Sequence, residues 1–303
     1  MLSNAIDDYL AIRRAAGFQL RVAEYRLRSF TRFATERGES HVLRQTAIQW
    51  AALAPSPASR EKRLSTLRVF VRHARAEDER HEPLPQQVFA KSEPPRRPHL
   101  LAPADITRVL AEASQLAPTG SLRPQTYYTL FGLLVATGLR VGEALALRLG
   151  DVIEDGLIIR ETKFRKSRMV PLHDTTQAAV DRYIARRRHL GGADDHVFIS
   201  LRGHGLRYND VNRTFLTIVR KLGLHPGAGK PGPRIHHMRH GFAVGVLETC
   251  PQDRLQVSRH MLALSTYMGH ARIADTCWYL QATPRLMADI ADVCEMFLEG
   301  GTP

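Results

Sequence analysis

Apolar positions in residues 1–81 recur at helical spacing and are interrupted by turn residues. Ile6, Tyr9, Leu10 and Ile12 mark a first helix that stops at Gly17. A second runs from about Val22 to Arg37, with Tyr25, Leu27, Phe30 and Phe33 inward and Gly38 ending it. A short third helix covers about Gln45 to Ala52, and Pro55 and Pro57 break the chain before a long fourth, about Ser59 to Ala76. Its apolar side is Leu64, Leu67, Val69, Phe70 and Val71, with Arg60, Lys62, Arg63, Arg68, Arg72 and Arg75 around the remainder. The pattern predicts a small four-helix unit with a basic surface.

Periodicity is lost across 82–98. Pro83, Pro85, Pro94, Pro95 and Pro98 read there as a linker, kept basic by Lys91, Arg96 and Arg97. Beyond it, Pro103-Ala104-Asp105 starts a helix leading into Ile106 to Ser114. A buried helix, Gln125 to Ala136, is interrupted at Thr137-Gly138, and a new one runs from near Arg140 to Leu147. Leu157-Ile158-Ile159 and Met169-Val170 flank a basic run, Lys163 to Arg168, as strands joined by a charged turn would. Val197-Phe198-Ile199 is a candidate further strand, and about Val211 to Leu222 and Leu286 to Leu298 read as helix. The prediction is a mainly α chain with a small β-sheet or hairpin (α+β): an N-terminal helical domain at 1–81 and a second domain at 99–303.

The length of 303 residues suits about two domains. With 44% apolar and 24% charged residues, collagen-like, coiled-coil and wholly disordered chains are excluded. No apolar run reaches the roughly 18 to 20 residues of a membrane-spanning helix, and Met1 to Asp8 lacks the character of a secretory signal. Cys250, Cys277 and Cys294 form no CxxC pair, so neither a disulfide framework nor a zinc ribbon is expected, and a cytoplasmic location is. Charge sharpens the picture. Forty-three Lys and Arg face thirty Asp and Glu, a net +13, with fifteen basic against ten acidic residues already in 1–90. An excess in both parts favours a polyanion that both touch, by counterion release at phosphates; a basic protein with no special partner is the plainer alternative.

Four segments carry candidate chemistry. In Thr137-Gly138-Leu139-Arg140-Val141-Gly142-Glu143 an arginine follows a glycine break at the start of an apolar helix. A buried arginine needs an anionic partner, either a ligand or Glu143 one turn on. Lys163 lies in the charged turn, where a solvated surface is the ordinary reading. His236 and Arg239 are three apart on one face of a helix start. His236 and His240 have metal-ligand spacing, but without an HExxH glutamate or a nearby cysteine pair no metal is expected. The fourth segment runs from Tyr267-Met268-Gly269-His270 to Trp278-Tyr279-Leu280, where a tyrosine beside a tryptophan commonly means core packing.

Together these segments resemble the tyrosine recombinases, the phage integrase family. That family orders an Arg after a Thr-Gly turn, a Lys on a β-hairpin, a His-x-x-Arg pair, a Gly-His, and a Tyr nine residues after that His. Arg140, Lys163, His236 with Arg239, Gly269-His270 and Tyr279 fill those places over about residues 100–285. The stretch from Thr162-Lys163 to Pro171-Leu172 is similar to the family's Gly-Lys-x-x-Lys-x-Arg-x-x-Pro-Leu, and Lys166 is the alternative to Lys163. The wording around Leu264 to His270 and Trp278-Tyr279-Leu280 looks like the branch carried by transposons and other mobile elements.

The resemblance implies a site-specific recombinase that cleaves and rejoins DNA strands through a 3′-phosphotyrosyl intermediate, serving integration, excision or resolution of a mobile element. Tyr279 would be the nucleophile, Arg140 and Arg239 would hold the phosphate oxygens, and Lys163 would protonate the leaving 5′-oxygen. His236 would assist proton transfer, and His270 would contact the phosphate and position Tyr279. No cofactor is implied, and no GxxxxGK[ST] loop is present. The partners implied are double-stranded DNA and a homotetramer on two sites, with a second recombinase or accessory protein left open. The 1–81 domain resembles the family's core-binding domain, and Arg60, Arg68, Arg72, Lys91, Arg96 and Arg97 are candidate phosphate contacts. The amphipathic stretch Leu286, Met287, Ile290, Val293, Met296 and Phe297 would dock on a neighbouring subunit or on its own domain. A type IB topoisomerase and a catalytically silent DNA-binding protein are the competing readings.

Overall fold

The structure, a computed structural model, describes residues 2–89, 99–160, 167–189, 194–227, 230, 232–249, 254–270, 272–277 and 279. The chain divides into two compact units, residues 1–96 and 97–303.

The first unit packs four helices, α1 (Leu2–Ala15), α2 (Arg21–Thr35), α3 (Arg44–Ala52) and α4 (Pro57–Ala74). The predicted breaks at Gly17 and Gly38 are real, with φ of 90° and 73° that other residues rarely adopt. Helix α4 starts two residues earlier than the apolar pattern suggests. Ser56 caps it by accepting the Ser59 N–H at 3.3 Å, and Pro57 fits its first turn. Ile6, Leu10, Leu27, Phe30, Trp50, Leu64, Leu67 and Phe70 form the core. Tyr25 and Val69, expected inside, are exposed, as is Ile12 of the first helix. On α2 the core stripe is instead Leu27, Phe30 and Ala34, which leaves Tyr25 on the outer face.

The segment expected to be a linker from residue 82 begins as part of this unit. Glu82 N–H donates to the Val42 carbonyl at 2.8 Å, its carboxylate accepts the Arg44 N–H at 2.6 Å, and Leu84, Val88 and Phe89 pack on the core. Just before it, buried His81 accepts the Val42 N–H at 3.1 Å, an edge contact that apolar periodicity does not encode.

The second unit is built around α6 (Arg123–Thr137), whose Leu130, Phe131, Leu133 and Leu134 are buried. Around it lie α5 (Pro103–Ala113), α7 (Val141–Ala146), α8 (Asp174–His189), α9 (Tyr208–Lys221) and α10 (His236–Glu248). Next come α11 (Arg254–Met268) and the short α12 (Ala274–Cys277). Strands β1 (Val152–Ile153), β2 (Gly156–Ile159) and β3 (Arg168–Val170) form an antiparallel sheet, with Leu157 opposite Val170 and Ile159 opposite Arg168. This small sheet beside a helical majority is the expected α+β class. Val197-Phe198-Ile199 is not a strand. Only isolated bridges form there, Arg148 with the preceding His196 and Ile199 itself with Gly205, while the side chains of the segment fill the core. A continuous apolar run cannot by itself separate these outcomes.

Gly156 turns β1 into β2 at φ 131°, and a Cβ there would stand 2.3 Å from the Val170 carbonyl oxygen. Gly156→Ala should therefore cost about 1–3 kcal/mol of unfolding free energy, read as an earlier urea midpoint for the second unit. An unchanged midpoint would mean that the sheet can shift to accommodate it.

Candidate active site

Helix α6 ends at Gly138 in the left-handed region, φ 60°, where a Cβ would meet the Phe242 ring at 2.4 Å. This turn sets Arg140 extended as the residue capping α7. Glu143, one turn on, accepts the Arg140 backbone N–H at 3.1 Å and its Nη1 at 2.8 Å. Arg140 Nη2 reaches 3.0 Å from the Gly269 carbonyl, 129 residues away in the chain.

Arg239 lies one turn into α10 and is 2% exposed. Its Nη1 donates to the Gly138 carbonyl and its Nη2 to the Met268 carbonyl, each at 2.6 Å. The two guanidinium groups thus lace together the same two turns: 138–140 and 268–270. Burial, then the charge of Arg140, lowers the pKa of Arg239 to about 10, so it remains a cation at neutral pH.

His270 Nε2 lies 3.0 Å from Arg239 Nη2, and its Nδ1 lies 2.7 Å from Thr276 Oγ1. Because a guanidinium can only donate, Nε2 must accept, which leaves the ring proton on Nδ1 facing the buried Thr276 hydroxyl. Burial, then Arg239 and Arg140, pulls His270 down to about 4 and keeps it neutral. His236 opens α10, and burial followed by the same two arginines lowers its pKa as well. His240 lies 4.6 Å from the His236 ring centroid and is held to about 3 by burial, then by its histidine neighbours.

Tyr279 is 3% exposed. Its ring lies nearly parallel to His270 at 6.1 Å, with an interplanar angle of 20°, and 5.2 Å from His240. Burial raises the phenol pKa, while the charge of Arg239 and a hydrogen bond to it pull the other way. The phenol is therefore protonated at neutral pH.

Five of the six residues singled out by sequence, Arg140, His236, Arg239, His270 and Tyr279, gather in this one region. Lys163 and its alternative Lys166 lie outside the described residues, as do Lys91, Arg96, Arg97 and the amphipathic stretch at 286–297. On α4, Arg72 is exposed, whereas Arg60 Nε donates to the Ala54 carbonyl at 2.9 Å and Arg68 pairs with Glu61. The sequence reading assigns no site role to Arg168 or Thr276, and none to Glu143 beyond its pairing with Arg140. Glu143 is signalled by its spacing three residues after Arg140, and Arg168 by its place as the arginine of the Gly-Lys-x-x-Lys-x-Arg-x-x-Pro-Leu pattern; Thr276 carries no local signal.

Among the described residues, Asp194, Asp195 and His196 come within metal-ligand reach of one another. Asp194 is already occupied by the N–H groups of Gly205 at 2.7 Å and His196 at 3.0 Å, and Asp195 pairs with Arg148.

The sequence model described as the Phage integrase family matches residues 100–285. The putative integrase/recombinase y4rB of Sinorhizobium fredii (strain NBRC 101917 / NGR234) is 39% identical over 94% of this chain and 94% of that protein. The tyrosine recombinase XerD of Chlamydia pneumoniae is 31% identical over 71% of this chain and 67% of that protein. Among solved structures, the Tn1549 transposon integrase in complex with transposon right end DNA superposes with a TM-score of 0.67 at 19% identity. It covers 96% of this chain and 99% of that one. A lambda integrase tetramer bound to a Holliday junction gives 0.64 at 19% identity, over 92% and 76%. The chain belongs to the phage integrase family, the tyrosine recombinases. It is an enzyme of site-specific DNA recombination.

The half-buried histidines make this region acid-labile. His237, His240 and His270 are held near 4, 3 and 4 in the folded chain, against about 6.5 when unfolded. Between those values the unfolded state binds more protons, so stability must fall as pH drops from about 6.5 toward 4. Equilibrium unfolding across that window should register an uptake of about two to three protons, reduced by about one in His240→Phe. A pH-independent midpoint would contradict the neutral, half-buried imidazoles.

Proposed function

We propose that this recombinase cleaves and rejoins duplex DNA through a covalent link between Tyr279 and a 3′-phosphate. The observation that carries the reading is the pair of guanidinium groups from Arg140 and Arg239, laced through the turns that bear Arg140 and His270 and facing a buried phenol. Phosphoryl transfer passes through a five-coordinate phosphorus with added charge on its non-bridging oxygens. Two fixed guanidinium forks stabilise that charge without needing reorganisation during the reaction.

In the forward step the Tyr279 oxygen bonds to phosphorus and the phosphorus–O5′ bond breaks. The phenolic proton needs an acceptor, and a neutral imidazole suits it; burial keeps His236 and His240 in that form. Lys163 donates a proton to the departing 5′-oxygen. Rejoining is the reverse, with an incoming 5′-hydroxyl attacking the phosphotyrosine, so the bond energy is retained and no nucleotide cofactor enters. His270 lends its Nε2 to Arg239 in the DNA-free chain, and the negative charge of a phosphate would favour a proton there and a bond to a non-bridging oxygen.

A full exchange needs four strand cleavages, so the working form is a homotetramer on two sites, with room for a second recombinase or accessory protein. Arg72 on α4 and the basic residues Lys91, Arg96 and Arg97 are assigned to phosphates of the flanking duplex; Arg60 and Arg68 would join them by giving up their present bonds. The close relation to y4rB and the likeness to a transposon integrase support service to a mobile element, by integration, excision or resolution, in the cytoplasm.

The test uses duplex selected by the protein from a random-sequence pool and then nicked beside the cleavage position, so that the covalent adduct is trapped. The wild type should accumulate adduct and Tyr279→Phe should form none; adduct persisting in Tyr279→Phe overturns the assignment. Lys163→Ala should bind the same duplex normally but cleave it slowly. Normal cleavage in Lys163→Ala, with failure in Lys166→Ala, would move the acid to Lys166.

A further inference from the structure

Arg168 stands at the first position of β3, yet only 14% of its side chain is exposed. All three guanidinium nitrogens are engaged within the protein. Nε donates to the Tyr267 carbonyl at 2.9 Å, and Nη1 and Nη2 take the two oxygens of Glu143 at 3.1 and 2.8 Å. The same two oxygens hold Arg140, one through Nη1 at 2.8 Å and the other through the backbone N–H at 3.1 Å. Each Glu143 oxygen is therefore shared between the two arginines. Burial alone would raise the Glu143 carboxyl, but Arg168 first and Arg140 second hold it below the ordinary range, so it stays ionised.

The geometry is tight on the far side as well. Gly269 supplies the carbonyl for Arg140 Nη2, and a Cβ on Gly269 would lie 2.8 Å from Arg168 Nη1. Arg168 thus touches the hub carboxylate and abuts the glycine that anchors Arg140, while following Lys163 by five residues in the chain.

We infer that Arg168 is a positioning residue of the recombination reaction: by holding Glu143 in a bidentate grip, it keeps Arg140 from closing on that carboxylate and so leaves Arg140 available to the scissile phosphate. The inference rests on the active-site reading above. A carboxylate facing one arginine takes its whole fork in two parallel bonds and neutralises it. With Arg168 on both oxygens, Arg140 makes a single side-chain bond to Glu143 and turns its other nitrogen toward the Gly269 carbonyl. Two guanidinium groups then share one negative charge, and a net positive charge remains for the phosphate. Each Arg168 nitrogen is already bonded within the protein and the side chain is largely enclosed, so it acts through Glu143 and Arg140.

The experiment measures single-turnover adduct formation on the selected, nicked duplex at saturating DNA, with the dissociation constant for that duplex measured separately. Arg168→Met keeps most of the stem and removes the fork; its cleavage rate should fall roughly 100-fold, the scale of a misplaced catalytic group, with the dissociation constant nearly unchanged. Arg168→Lys should not recover the rate, because an ammonium cannot grip both oxygens at once. Arg168→Met combined with Glu143→Gln should cleave no more slowly than Arg168→Met alone, since the carboxylate that captures Arg140 is gone. Losses that multiply in the double variant, a defect confined to DNA affinity, or full activity in Arg168→Lys or Arg168→Met would each overturn the inference. If Arg168→Met does not fold, Arg168→Lys and Glu143→Gln carry the comparison. The Tyr279→Phe control separates the two levels: adduct formed without that phenol would defeat the active-site reading itself, whereas its loss beside a fully active Arg168→Met would defeat this inference alone.

Discussion

A guanidinium removed from water costs several kcal/mol unless its donors are met, and Arg239, 2% exposed, is the group on which the second unit's chemistry depends. Its donors are met by the carbonyls of Gly138 and Met268. Those carbonyls belong to the two turns that deliver Arg140 and His270, so satisfying one buried cation brings together turns that are distant in the chain. Arg140 repeats the device in reverse through Gly269. The folding requirement and the geometry of the proposed active site are the same set of hydrogen bonds, which explains why both turns need glycines with positive φ at 138 and 269.

The electrostatics follow from that packing. Arg140, Arg168 and Arg239 surround one carboxylate, Glu143, and the nearby histidines are neutral because burial and the arginines disfavour further positive charge. The region therefore has excess positive charge awaiting an anion. In the proposed chemistry a phosphate supplies it, and the same arrival changes the balance for Tyr279, whose phenol burial keeps protonated in the DNA-free chain. Nucleophile activation is thereby coupled to substrate, since the groups that favour a phenolate are the ones that hold the phosphate.

Much of this was legible in the sequence, for identifiable reasons. Helix existence followed from apolar spacing and from glycine stops, as at Gly17, Gly38 and Gly138. The residues gathered around Arg239 were legible because order and spacing along the chain carry the family resemblance. What was not legible depends on contacts between distant segments. Tyr25 has the spacing of a core residue, but the packing of α2 turns it outward; Val197-Phe198-Ile199 has the composition of a strand but pairs only through isolated bridges and single hydrogen bonds. The edge contacts of His81 and Glu82 absorb the start of what composition marked as linker. Arg168 fills the arginine of the family's turn pattern, but nothing local reveals that it folds across to Glu143.

The central claim is that Arg140, Arg239 and Tyr279 meet at one phosphorus. A crystal structure of the protein on its selected duplex, with orthovanadate bridging the nicked strand as a five-coordinate phosphorus mimic, tests it most directly. Vanadium should be bonded to the Tyr279 oxygen, with guanidinium nitrogens of Arg140 and Arg239 within hydrogen-bond distance of its equatorial oxygens. Vanadium bonded to another side chain, or equatorial oxygens held without either arginine, would contradict it.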